Sequence, residues 1–526
     1  MMELKALGKV AAVILVLAVA VAGVAVYMYV SSRQAGVKPP VEAKPVVIGV
    51  TDSVTDLDPA NAYDFFTWEI LSNIMEGLVK YEPGTLNIVP GLAESWSTSQ
   101  DQMTWTFKLR SGLKFSDGTP LTARDVVRSI ERVMRINGDP AWLVTDFVEN
   151  VTAPDDVTVV FKLRKPTPYF LSLLTTPPYF PVNPKYAQDK VDSDQTAGGA
   201  GPYRIASFQR DVEIRLEPNP YYYGEKPKAP IIIKKYGSSS ALRLALESGE
   251  IDVAWRTLNP SDIIALKSRS DVKVIEVPGT FIRYICLNTR LDPTSNKLVR
   301  QALAAAINRS EIIEVALKGA GQPLYSMIPV GMWSYVSVFK EKYGDGNLEL
   351  ARSLLRQAGF SESKKLTIEL WYTPTHYGDT EKDVAAILKE QLEKTGLITV
   401  TVKSAEWSTY VDYARKGNMM MYLLGWYPDY LDPDDYTTPF LKSTANSWTG
   451  TGYANPTMDQ LLEQASSTGN QTLREQLYRQ VQEILGEDVP YIPLYQGVLY
   501  IVARQGVEGI QPSPTMLFYY WTVYKT

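Results

Sequence analysis

The sequence predicts an α/β protein of two or three lobes, carried behind an N-terminal apolar helix that spans a membrane. Three observations carry this expectation. The chain has 526 residues, too many for one ordinary hydrophobic core. Alternating strand patterns are interleaved with helical ones along the chain, as in sheets packed against helices. Val10 to Val30 holds no charged residue, and at ~1.5 Å per residue these 21 positions extend ~31 Å, about the thickness of a bilayer core.

That apolar run exceeds the ~7 to 15 residues of a signal-peptide core. Residues 1–30 are therefore expected to form an uncleaved signal anchor, with cleavage near Ser31 or Ser32 as the alternative. No cysteine stands directly after the run, so no lipid-anchored form is expected. Residues 31–45, SSRQAGVKPPVEAKP, are small and proline-rich and read as an extended spacer. Val46 to Val50 begins the first strand.

The stretch Ala93 to Arg135 has the clearest local grammar. Trp105, Phe107 and Leu109 alternate with Thr106, Lys108 and Arg110, the pattern of a half-buried strand. Asp117-Gly118 marks a turn. Thr122 then stands as an N-cap with Asp125 three residues on, and Val126, Val127, Ile130, Val133 and Met134 follow at helical spacing. Trp96, Phe107 and Phe115 are expected in the core. A second strand, Val157 to Leu163, echoes the first, VFKLRKP against TFKLRSG, and belongs beside it in one sheet. Further on, helical patterns run near Leu298 to Asn308, Leu348 to Ala358, Val384 to Lys394 and Leu473 to Leu485. Strands at Leu366 to Trp371 and Ile398 to Lys403 alternate with them.

Composition narrows the chemistry. Hydrophobic residues make up 45% and charged residues 21%, a globular balance, and the net charge of -5 with no basic run argues against nucleic acid. Cys286 is the only cysteine and lies in the apolar FIRYICLNT, so it reads as a buried, inert thiol. His376 is the only histidine and sits in the turn-like YTPTHYGD. A hydrolytic triad or a zinc or nickel centre is poorly supplied by such a chain, and no cofactor or metal is expected.

GWYPDYLDPDDY, Gly425 to Tyr436, is the segment richest in chemistry, with Asp429, Asp432, Asp434 and Asp435 among Trp426, Tyr427, Tyr430 and Tyr436. An EF-hand would need a central glycine and a terminal glutamate that are missing. Asp434 and Asp435 are expected to be a solvated acidic turn. Asp429 and Asp432 would suit a glycoside hydrolase only if a sugar bond fitted between them.

The wording of several segments goes beyond their physics. LDPA at Leu57, AESW and FKLRSGLKFSDGTPLTARDV in the Ala93 to Arg135 stretch, GAGPY at Gly199, ALESGEID at Ala245, LNT at Leu287, VRQALAAAINR at Val299 and GWYPDYLDPDDY at Gly425 follow one another in this order. In this the chain resembles the family 5 extracellular solute-binding proteins, the dipeptide, oligopeptide and nickel class of ABC importers. The resemblance implies a two-lobed periplasmic-binding-protein-like fold (type II, cluster C) with an inserted domain. On this chain lobe I falls at 46–88, 197–286 and 490–526, the inserted domain at 89–196, and lobe II at 287–489.

The same resemblance implies a monomeric, non-enzymatic receptor whose globular part stands outside the cell. It captures a short peptide between its lobes and delivers it to an ABC permease. In peptide-binding relatives the aspartate three residues after the tryptophan of this motif pairs with the peptide α-ammonium, which gives Asp429 and Trp426 binding roles. Trp407 lies 19 residues before Trp426, a spacing similar to that of two pocket tryptophans in oligopeptide binders. Basic residues meet the peptide carboxylate in such relatives, whereas here Arg415 is placed only approximately and Leu423 stands where an arginine would serve. An oligosaccharide ligand, held on aromatic faces, is the alternative within the family, and a cell-surface hydrolase the alternative outside it.

Overall fold

The computed structural model describes residues 43–192, 198–374 and 376–526. The apolar segment 1–30 and the spacer as far as residue 42 lie outside the described residues. No helix among the described residues is long and apolar enough to cross a membrane.

From Pro45 to Thr526 the chain forms one compact unit with two lobes that share a continuous sheet. The sheet has 11 strands. On one side lie Val46–Val50, Ile231–Lys235 and Val253–Trp255, with Ile48 parallel to both Ile233 and Val253. On the other lie Leu366–Tyr372, Ile398–Ser404 and Met421–Trp426, also mutually parallel. Short crossover helices connect such strands because a parallel pair cannot be joined by a tight turn.

Two long antiparallel strands, Val272–Leu287 and Tyr491–Arg504, join the halves. Val277, Leu499 and Ile501 belong to one hydrophobic core, while Tyr284, Ile285, Tyr491 and Ile492 belong to another. The pair therefore passes from core to core, and its register slips between Pro278 and Ile282. Gly279 and Gly497 make the slip possible. A Cβ on Gly279 would lie 2.2 Å from the Gly497 carbonyl oxygen, and one on Gly497 would meet the Phe281 ring at 1.9 Å.

A separate four-stranded antiparallel sheet runs in the order Ala93–Thr98, Thr104–Leu109, Thr158–Leu163, Val148–Asp155. The two echoing strands are neighbours: Trp105 faces Phe161 and Phe107 faces Val159. Helix Ala123–Ile136 packs beneath, begun by Asp125, whose carboxylate accepts the Thr122 N–H at 2.9 Å and its hydroxyl at 3.0 Å. It is tied to the preceding lobe by a buried Arg132–Asp58 ion pair. Phe107 and Phe115 are fully buried and Trp96 partly so. Cys286 is buried, which raises its thiol pKa well above the usual value and keeps it inert.

Candidate functional site

Strand Met421–Trp426 is buried up to Leu424, stays paired with Val272–Leu287 as far as Trp426, and then leaves the sheet, carrying Asp429 to the space between the two cores. The four aspartates that follow divide the work. Asp435 is completely buried and folds the segment back on itself: its Oδ2 accepts the Trp426 indole N–H at 3.0 Å and the Asp429 backbone N–H at 3.1 Å. Asp434 accepts the hydroxyls of Tyr430 at 2.8 Å, Tyr169 at 2.9 Å and Thr438 at 2.7 Å. Asp432 caps the 3-10 turn at Asp434 and pairs with Arg474 at 2.5 and 3.0 Å.

The expectation of a solvated turn at Asp434 and Asp435 is thus overturned. Both carboxylates are buried because tyrosine hydroxyls, an indole and backbone N–H groups supply the hydrogen bonds that water would have given. Asp432 is equally committed, since a buried guanidinium holds it. It cannot pair with Asp429 as the second carboxylate of a hydrolase.

Asp429 is the one left available. Among the described residues a single hydrogen bond reaches its carboxylate, from the Tyr63 hydroxyl at 2.7 Å, across the boundary between the cores. Burial pushes its pKa up to about 7, with the Tyr63 bond opposing. Burial, and then the neighbouring Asp429 charge, also push the Asp435 pKa well above the usual carboxylate value, so the two acids titrate as a coupled pair.

Asp429 and Tyr63 line a cavity of about 670 Å³, within the ~300 to 1,000 Å³ usual for small-ligand sites. Asp429, Trp426 and Trp407 all face it, so the three residues singled out from sequence meet in one place. Trp426 also packs edge-on against Phe440 at 5.1 Å, which fixes the ring. Trp407 opens helix Trp407–Arg415 and lies flat on His376, the centroids 3.6 Å apart and the planes 4° from parallel. Desolvation, then the charges of Arg283 and Arg256, hold this imidazole well below the ordinary histidine pKa, so it is neutral. Arg415, at the far end of the helix, does not line the cavity.

The facing wall comes from residues the sequence did not mark. Tyr63 and Phe65 stand at the start of helix Phe65–Ile74. Arg256 follows strand Val253–Trp255 with φ of 74°, an uncommon backbone for a non-glycine. Its guanidinium is paired with Asp52 and lies over the rings of Phe65 at 4.8 Å and Tyr427 at 5.6 Å. Tyr427 is stacked in turn on Phe281 of the crossing strand at 5.1 Å. No local pattern announces Tyr63 or Arg256, because their partners lie far off along the chain. Only His376, alone of its kind in a turn, carried a signal. Among the described residues no cluster of histidine, cysteine or carboxylates could hold a metal.

Several known proteins that this chain resembles are binding proteins. The chain is 30% identical over 487 residues to the probable D,D-dipeptide-binding periplasmic protein of Escherichia coli, covering 90% of this chain and 92% of that one. The dipeptide-binding protein of the same organism is 28% identical over 467 residues, 83% and 86% of the two chains. In structure the chain is similar to the ABC transporter-associated periplasmic binding protein DppA of Helicobacter pylori in complex with the peptide STSA. That comparison has a TM-score of 0.81 and 27% identity, and it covers 91% and 98% of the chains. The Haemophilus influenzae OppA complex with RPPGFSPFR gives a TM-score of 0.79 at 25% identity, covering 92% and 99%. The model of "Bacterial extracellular solute-binding proteins, family 5 Middle" matches residues 87–448, and the chain belongs to this family, whose members are substrate-binding receptors of ABC transporters and not enzymes.

Proposed function

We propose that the chain captures a short peptide in the cavity between its lobes and hands it to an ABC permease, with Asp429 holding the peptide α-ammonium. The observation that carries the reading is the Asp429 carboxylate itself, desolvated and, among the described residues, held by the Tyr63 hydroxyl alone. Such an acid gains most from a cationic partner, because a charge-assisted hydrogen bond replaces lost hydration. Trp407 and Trp426 provide flat walls beside it. Asp429→Asn keeps the shape and removes the charge. Di- and tripeptide affinity measured by calorimetry is expected to fall roughly thirtyfold or more, the loss of a buried charged hydrogen bond. Unchanged affinity would sink the ammonium role.

One observation favours a second reading. Of the 40 lining residues, 13 are Phe, Trp or Tyr, and flat faces with hydroxyl edges also suit an oligosaccharide. Sugar capture does not need the Asp429 charge, so the same variant separates the two.

The lobe limits belong to the proposal: 46–88, 197–286 and 490–526 for lobe I, 287–489 for lobe II, and 89–196 for the inserted domain. The separate four-stranded sheet and the passage of two long strands between cores support this division. Residues 1–30 are proposed to anchor a monomer in the membrane, with 31–45 as spacer and the globular part outside the cell.

A further inference from the structure

The charges that line the cavity do not balance. Asp52 is paired with Arg256, and Glu76 with Lys80 at 3.1 Å, so both lining cations are spent. Asp64 is occupied in capping helix Phe65–Ile74 through the Thr67 N–H at 2.9 Å. Two lining carboxylates remain, both on the lobe that carries Trp407: Asp429, and Asp379, whose one hydrogen bond among the described residues comes from the Asn259 amide at 3.4 Å. His376, three residues before Asp379, adds no positive charge.

A peptide with neutral side chains fits this pattern badly. It brings one ammonium to two unpaired carboxylates, and a carboxylate that finds no unpaired lining cation. We propose that the cavity selects net-cationic peptides, whose α-ammonium meets Asp429 and whose lysine or arginine side chain meets Asp379 beside the Trp407–His376 stack. The inference rests on the peptide reading above. Aromatic faces strengthen it, since a cation over an indole or phenol ring is attracted by the ring quadrupole. Like charge inside a partly dry cleft costs far more than at an open surface, so acidic peptides are penalised.

Three tripeptides test it on the full-length protein: Ala-Lys-Lys, Ala-Ala-Ala and Ala-Glu-Glu, titrated calorimetrically at low and high salt. Ala-Lys-Lys should bind roughly tenfold or more tighter than Ala-Glu-Glu, with Ala-Ala-Ala between, and the spread should narrow as salt screens the charges. Asp379→Asn should reduce the lysine preference a few-fold, as an exposed ion pair does. Its unfolding curve in denaturant should match that of the parent protein, which reports an intact fold. Equal affinities across the series, or an undiminished lysine preference in Asp379→Asn, overturn the inference while the peptide reading stands. If none of the three binds, the peptide reading fails and the inference falls with it.

Discussion

At the scale of single residues, the fold spends three aspartates to present a fourth. Asp432, Asp434 and Asp435 are consumed by Arg474, by hydroxyls and by the indole and backbone of their own segment, and Asp429 is left facing the cavity. This has a consequence in solution. With its pKa raised to about 7, Asp429 is largely protonated below that pH in the empty protein, and an incoming ammonium must displace the proton. Peptide affinity is therefore expected to weaken as pH falls from 7 to 5, by at most about tenfold per unit. The enthalpy should vary with the ionisation enthalpy of the buffer, because a proton is released. In Asp429→Asn both dependences should vanish, and their persistence would assign the titration elsewhere. Asp429 could be singled out by its spacing from Trp426, and both residues stand in the cavity wall. The burial of Asp434 and Asp435 was not, since the groups that satisfy them, Tyr169 and the Trp426 indole among them, are placed by folding.

At the scale of elements, patterns that repeat locally were readable and pairings over distance were not. The helix at 123–136 follows from its capping box and apolar stripe, and the strand at 46–50 from its composition. The helices observed at Lys297–Ala306 and Gln471–Asp488 lie within a few residues of their expected limits. The long strands Val272–Leu287 and Tyr491–Arg504 left no such mark on the sequence, because each serves two cores and alternates for neither throughout. Their glycine crossing is the mechanical link between lobes and site. The Phe281 ring occupies the space where a Gly497 Cβ would stand, and Phe281 supports Tyr427, which in turn contacts Phe65 at 4.9 Å. Gly497→Ala is expected to displace Phe281, costing about 1 to 3 kcal/mol of stability by overpacking. It should also weaken peptide binding through Tyr427 although residue 497 does not line the cavity. Chemical denaturation and calorimetry on the same variant check both. A stable variant with normal affinity would show that the crossing has slack.

At the scale of the whole molecule, the chain is closed by an acid. Glu69, fully buried in helix Phe65–Ile74, accepts the Tyr520 hydroxyl, the Phe518 N–H at 3.0 Å and the Trp255 indole at 3.0 Å. Asn73, one turn on, accepts the Tyr520 N–H at 2.8 Å. The last segment of the protein is thereby pinned to the helix that carries Phe65 into the site. The order of the family words suggests a division into lobes, but a clasp between positions 69 and 520 leaves no trace in either neighbourhood. Burial raises the Glu69 pKa from 4.5 to about 7 against all these donors. The folded state thus holds a proton that the unfolded chain gives up at lower pH. The stabilisation is complete below about pH 4.5, declines as pH rises through 7 and is absent above it, a swing of about 3 kcal/mol at most. Asp429 is shifted in the same direction. Scanning calorimetry of the ligand-free protein should therefore give a melting temperature that falls between pH 5 and pH 8. In Glu69→Gln, which keeps the shape without the titration, the fall should be smaller. An identical fall in both proteins would mean that Glu69 is already ionised in the folded state, its three donors outweighing the burial that raises it.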